Sequence, residues 1–217
     1  MKILSVSTFK KKYQKTIVAV VELDTGEKLY HEPETVVLFD LHAQDELDEK
    51  TFQALKNTDD AYKCRAYALN LLAIRPRSIS ELKNRLVRKE FSTQSIDQCL
   101  SELSEKGYLN DADFAHRYVR ARLKQKALGE SMMRMELRKK GLSNDLIEKS
   151  IQSVYGDETA LTMALDVARK KMATYKKLEP QKVRQKLFFF LSQRGFSQNV
   201  IREVFKKLRF GEDEGDG

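Results

Sequence analysis

From Ala61 to about residue 210 the apolar positions recur at helical spacing, and the pattern repeats itself. Leu86, Phe91, Ser92, Ile96, Leu100 and Leu103 align without a gap on Leu137, Leu142, Ser143, Ile147, Ile151 and Val154, 51 positions later. A third set, Leu191, Phe196, Ser197, Ile201, Phe205 and Leu208, follows after a further 54. In each copy the serine stands where a helix N-cap would, its hydroxyl placed to accept from an orphan amide of the first turn. The residue before it and the residue four after it are apolar every time, which is the pattern of a hydrophobic staple. Gly141 and Gly195 directly precede two of the staples and suit the left-handed residue that ends a helix. The first copy has Glu90 there, so strain or a changed turn is expected in that copy alone.

Another helical stretch precedes each copy, over about residues 61–74, 111–124 and 157–175. The first closes at Arg75-Pro76, and Ser78-Ile79-Ser80-Glu81 supplies a capping box for the next helix. Three-helix modules are therefore expected at 61–108, 109–156 and 157–210, each partly dependent on its neighbour for a complete core. Ahead of them the pattern changes. Lys15 to Leu23 is β-branched, Asp24-Thr25-Gly26-Glu27 is a turn, and Lys28 to His31 resumes an extended pattern, so a hairpin is predicted, with residues 3–9 available as a third strand. Helices from about Glu34 to Ala43 and from Asp48 to Leu55 complete an extension over 1–60, with Asn57-Thr58-Asp59-Asp60 as its boundary. The acidic stretch 211–217 is expected to be a disordered tail. The expected fold class is mainly α: three tandem three-helix-bundle repeats, elongated and curved, with a small N-terminal β-hairpin/α extension. At about 25 Å per bundle, three in a row would reach on the order of 70 Å.

The composition agrees, with 9 Gly, 3 Pro and no Trp in 217 residues, and 33% charged residues to solvate the outer helix faces. The net charge of +8 hides an asymmetry. Residues 1–60 hold 8 Lys/Arg against 12 Asp/Glu, residues 61–210 hold 32 against 16, and the last seven add four acids. The positive field thus belongs to the modules, and it favours a polyanionic partner. No signal-peptide apolar run and no 18-residue apolar stretch occurs, so a cytoplasmic protein without a membrane partner is expected. Cys64 and Cys99 fall inside helical patterns without a CxxC or a nearby histidine pair, and read as reduced core residues. The sequence has no Walker-type loop, no His-Glu-x-x-His and no Gly-x-Ser-x-Gly, and His31, His42 and His116 are scattered. Accordingly no catalytic residue, no metal and no cofactor is expected, and the chain reads as a binding protein.

Two blocks carry a resemblance. Leu71-Leu72-Ala73-Ile74-Arg75-Pro76-Arg77-Ser78-Ile79-Ser80-Glu81-Leu82-Lys83-Asn84-Arg85-Leu86, followed by Gly107-Tyr108-Leu109-Asn110-Asp111-Ala112-Asp113-Phe114-Ala115, closely resembles the RecX family of bacterial recombination regulators. The likeness covers about residues 61–210, and the N-terminal hairpin resembles an extension present in only some members. What the resemblance implies is a modulator of RecA, the ATP-driven strand-exchange recombinase. RecX proteins lie in the helical groove of the RecA–single-stranded DNA filament, limit its extension or promote its disassembly, and depress ATP hydrolysis and strand exchange. The partners so implied are the RecA nucleoprotein filament and, weakly and without sequence preference, single-stranded DNA, engaged by a monomer.

Candidate contacts follow from the placement of the cations. Arg75 and Arg77 flank Pro76 in a loop, where a guanidinium can fork onto phosphate or carboxylate. Arg85, Arg88 and Lys89 lie on the next helix, where a solvated face is the competing reading. Arg117, Arg120 and Lys124 form one stripe beside the apolar Phe114, Tyr118 and Ala121. Arg134, Arg138, Lys139 and Lys140 approach a helix C-terminus, so the dipole alone would justify them unless they touch DNA or RecA. Tyr108, Phe114 and Tyr118 suit a core seam better than a base-stacking surface. Phe188-Phe189-Phe190 cannot all face one core, so at least one is expected at the surface as a docking patch. On the residues alone two other readings stay open, a stand-alone helix-turn-helix DNA regulator and a protein scaffold without DNA contact.

Overall fold

The computed structural model describes residues 1–10, 17–155, 157–175 and 178–208. Lys15 and Thr16 of the expected first hairpin strand, and the tail 211–217, lie outside the described residues. The chain divides into two compact units, Met1–Leu109 and Asn110–Gly217.

In the first unit, β1 (Ile3–Lys10), β2 (Ile17–Leu23) and β3 (Lys28–His31) form an antiparallel sheet in the order β1-β2-β3, so residues 3–9 do supply the third strand. Gly26 adopts φ +82° in the turn between β2 and β3. The buried face of the sheet, with Ile3, Val21, Leu23 and Leu29, packs on Leu41, Phe52 and Leu55. Two helices follow, α1 (Pro33–Leu38) and α2 (Glu49–Ile74). Helix α2 is 26 residues long and begins at an Asp48 cap that accepts from the Thr51 amide.

The boundary expected at Asn57–Asp60 is not there: α2 runs straight through it. These polar side chains tie the helix to its neighbours instead of breaking it. Asp59 accepts from the Tyr30 amide of β3 and from Lys63, both at 2.6 Å. Asp60 accepts from the Ser92 amide at 3.0 Å, and the Thr58 hydroxyl donates to Leu55 O while meeting His31 Nδ1. Arg65 extends the same connection, pairing with Glu32 and with Glu102. Helix α2 therefore belongs both to the extension and to the first module, which α3 (Ile79–Val87) and α4 (Thr93–Glu105) complete. Cys64 and Cys99 are free and buried in that module's core, where their mutual contact and burial push the Cys64 thiol well up.

The second unit holds α5 (Asp111–Gln125), α6 (Glu130–Lys139), α7 (Asn144–Gln152), α8 (Asp157–Met172), a 3-10 turn (Ala173–Tyr175), α9 (Pro180–Gln193) and α10 (Gln198–Lys207). The second and third modules lie side by side within it. Met163 and Val200 pack against both of their cores. Gly129 donates its amide to Arg194 O and Ser131 donates to Gly195 O, while Arg194 reaches back to Ala127 O. The approach is so close that a Cβ on Gly129 would stand 2.1 Å from the Gly195 backbone, and one on Gly195 2.3 Å from the Met132 amide.

The repeated junction has the expected construction in every module. Ser92, Ser143 and Ser197 each accept from the amide three residues on, capping α4, α7 and α10. Ile96, Ile147 and Ile201 are at most 2% exposed, with Phe91, Leu142 and Phe196 stapled beside them. Glu90, Gly141 and Gly195 adopt φ of +62°, +77° and +83°, so the first module makes the same left-handed turn with a residue that resists it.

Exchanging the residue types across the repeat tests this reading. Glu90→Gly should raise stability by roughly 1 kcal/mol and Gly141→Ala should lower it by a similar amount, because a Cβ in the left-handed region costs about 1–2 kcal/mol. Gly129→Ala adds no such strain but forces two backbones apart, and should cost about 3 kcal/mol or more. Urea unfolding followed by circular dichroism measures all three; a neutral Gly129→Ala would contradict the close approach.

His31 yields a pH prediction. The Thr58 hydroxyl gives its proton to Leu55 O, so His31 Nδ1 is the donor in their contact and Nε2 is left buried without a partner. Burial holds the imidazole below its ordinary 6.5; Asp59 opposes that shift and Lys63 reinforces it. With the folded value below the unfolded one, the unfolded chain takes up the proton more readily, so stability falls as pH drops below 6.5. The urea midpoint should decline between neutral pH and pH ~5, and His31→Asn should flatten that limb. An unchanged slope in the variant would exclude His31 as its source.

Candidate nucleic-acid interface

Between α2 and α3 the chain needs a sharp stop, and Pro76, with no amide proton, supplies it. Ser78 then caps α3 by accepting from the Glu81 amide. This geometry decides where the two loop arginines go. Arg75 forks onto both carboxylate oxygens of Glu81, at 3.1 and 3.2 Å, and also reaches Pro76 O. Arg77 turns inward to 9% exposure and donates to Leu71 O, capping a helix-end carbonyl. Desolvation lowers its pKa, with Arg75 and Arg85 adding to the effect and Glu81 opposing it, so the three arginines share one neighbourhood. Of the pair expected to reach outward, one is thus engaged with a carboxylate and the other is buried.

Helix α3 and the turn that ends it present the open charge. Arg85, Arg88 and Lys89 are all exposed, and the Lys89 ammonium lies 5.6 Å over the Tyr67 ring. Neither Arg85 nor Arg88 pairs with a carboxylate among the described residues. Tyr108 is 61% exposed rather than part of a core seam, because it follows the left-handed Gly107 that ends α4.

On α5, Asn110 caps the helix by accepting from two amides, and Asp113 pairs with Arg117 one turn on. Arg120 and Lys124 of the same stripe are exposed and have no carboxylate partner among the described residues. The adjacent stripe splits: Phe114 is buried, Tyr118 is half-buried, and Ala121 is exposed. Tyr118 donates to Glu136, which also accepts from Nε and one Nη of Arg122 at 2.8 and 2.9 Å. These bonds hold Glu136 below the usual carboxylate range, chiefly through Arg122, and raise Arg122. That network escaped the sequence reading, since Arg122 and Glu136 sit on different helices 14 positions apart.

Arg134 is likewise spent internally. It grips Glu148 of α7 at 2.8 and 2.9 Å and Glu130 one turn before it, and the Glu148 contact is the largest cause of its raised pKa. The helix-end expectation therefore fits Arg138 and Lys139, which lie in the last turn of α6, and not Arg134. Arg138 reaches Asn144 at 3.3 Å, Lys139 is exposed, and Lys140 stands 5.6 Å over the Tyr118 ring. Subtracting the internal pairs leaves outward cations on α3 in the first unit and on α5 and the end of α6 in the second. Such positions suit phosphates, which fix register without reading sequence.

Among the described residues no group of three His, Cys, Asp or Glu is placed to hold a metal ion, and no helix is long and apolar enough to cross a membrane.

Comparison with known proteins supplies the context. Three family models match, described as RecX first, second and third three-helix domains, over residues 64–103, 110–151 and 157–205. The Regulatory protein RecX of Bacillus subtilis (strain 168) is 30% identical over 181 residues, 83% of this chain and 68% of the relative. That of Clostridium botulinum (strain Eklund 17B / Type B) is 28% identical, covering 77% and 78%. A crystal structure of regulatory protein RecX superposes with a TM-score of 0.76 at 23% identity, over 94% of this chain and 98% of the other. RecX from Lactobacillus salivarius gives 0.66 at 24% identity, over 70% of this chain and 99% of that one. At those identities the structures speak for the fold.

The division between spent and open cations is measurable. Arg134→Ala removes the clasp on Glu148 and Glu130 and should destabilise the second unit by about 1 kcal/mol. Arg120→Ala and Lys124→Ala should stay within about 0.5 kcal/mol of the parent. Comparable losses at all three positions in urea unfolding would show that the open cations are structural too.

Proposed function

Because the chain belongs to the RecX family, with three domain models matched and a relative at 30% identity, we propose that it regulates RecA, mainly as an inhibitor. In this reading it binds as a monomer in the groove of the RecA–single-stranded DNA filament, depresses ATP hydrolysis and strand exchange, and so modulates recombination and DNA repair. It performs no chemistry of its own.

The observation that carries the reading is the set of exposed cations without a carboxylate partner among the described residues: Arg85 on α3, Arg88 at its C-terminal cap, and Arg120 and Lys124 on α5. A stability role would pair them, as it pairs Arg122 and Arg134. Left open on separate modules, they can meet phosphates or acidic side chains at several points along a filament, and weak contacts joined by one chain combine through effective concentration. A ligand that favours one filament geometry over another shifts the population toward it, which is a sufficient physical route to inhibition. The remaining candidates, Arg75, Arg77, Arg117, Arg134, Arg138, Lys139, Lys140 and Lys89, divide on the same criterion. Lys89, Arg138 and Lys139, all exposed, join the contact surface, and the others position it.

RecA ATPase on single-stranded DNA, titrated with substoichiometric amounts of this protein, is the test. Inhibition is expected, and the double reversal Arg85→Glu/Arg88→Glu should weaken it by about tenfold or more and reduce its salt dependence. Absence of inhibition at every ratio would refute the proposal.

A further inference from the structure

The third module carries a surface that the contacts proposed above do not use. Residues 180–202 hold five cations, Lys182, Arg184, Lys186, Arg194 and Arg202, and no acid, in a chain with 32 Asp/Glu. The acid that follows, Glu203, is taken by Lys206 at 2.8 Å. Within this stretch α9 and α10 form an open groove of about 820 Å³, flanked by Phe188, Phe189 and Phe205, with Arg184 and Arg202 beside them.

Here the phenylalanine run divides as its helical spacing requires. Phe190 packs into the core, whereas Phe188 is 37% and Phe189 64% exposed. The two outer rings meet edge to face, centroids 6.0 Å apart at 80°, so one ring braces the other and leaves a flat face free. Arg184 lies 5.8 Å over the Phe205 ring, and neither it nor Arg202 pairs with a carboxylate among the described residues. Gln181, Gln185 and Gln198 also line the groove. Their amides both donate and accept, as base edges do.

Exposed flat rings, cations without acids, and amides together match the requirements for holding single strands without sequence preference. An acidic peptide would answer the cations, but it would leave the planar faces unused. We propose that the α9–α10 groove is a platform for single-stranded nucleic acid, whose bases stack on Phe188 and Phe189 while Arg184 and Arg202 hold the phosphates. This deepens the function proposed above and rests on it, by naming where the DNA inside the filament touches this protein. The contact is independent of RecA, and it is testable without RecA.

The full chain is titrated with a fluorescein-labelled oligothymidine at low salt, and anisotropy is read for the parent, Phe189→Ala and Arg184→Glu/Arg202→Glu. All three positions are exposed, so circular dichroism should show folded variants. Phe189→Ala is expected to bind about tenfold more weakly, and the double reversal more weakly still. Because the chain has no tryptophan, Phe189→Trp is a single-site probe. It should keep affinity, and its emission should be quenched when bases stack on it. Unchanged affinity in the folded variants, or unquenched emission at saturating DNA, overturns the proposal. RecA ATPase run in parallel separates the two readings. Lost inhibition with intact oligothymidine binding would hand the groove to a protein partner and overturn the platform. Weakened oligothymidine binding in a protein that never inhibits RecA would sink the regulator and support the platform.

Discussion

Everything in this protein hangs on one junction used three times: a left-handed residue, an apolar staple and a serine cap joining the last two helices of each module. It reverses the chain within three residues while satisfying the amides that open the next helix. The same short turn buries Ile96, Ile147 and Ile201 at the centres of three separate cores. Small cores are cheap to build in tandem but expose much surface, and that surface is where the charge sits.

The cations on that surface divide by what stands opposite them. Arg122, Arg134 and Arg75 meet carboxylates on neighbouring segments and lock helices together. Others on α3, α5 and α9 meet none among the described residues, and keeping like charges close without counter-ions costs stability. That arrangement is what the proposed contact with a polyanionic filament calls for, since it offers the field on more than one module.

Much of the architecture was legible because it is local. The serines, the apolar pair around each and the glycines of two copies specify the junction within a few residues, and Glu90 even announced the strained copy. Helix α2 was misread because Asn57-Thr58-Asp59-Asp60 has a turn's composition, whereas its side chains bond to β3 and to Ser92, partners far away in sequence. The same limit governs the site. Spacing identified the stripe of Arg117, Arg120 and Lys124, but only the fold separates Arg117, paired with Asp113, from its two open neighbours. Arg77 looked like a loop residue available to a partner and instead became a plug for Leu71 O, since a loop between tightly packed helices is itself partly interior. Gly129 gave no signal at all, because its role is to meet Gly195, 66 positions away.

Hydrogen exchange of the full chain, alone and on RecA–single-stranded DNA filaments, addresses the central claim directly. Slowed exchange is expected on α3 with its C-terminal cap and on α5, which carry Arg85, Arg88, Arg120 and Lys124, and on α9. Exchange there unaffected by the filament, with any protection confined to the β1–β3 sheet, would contradict it.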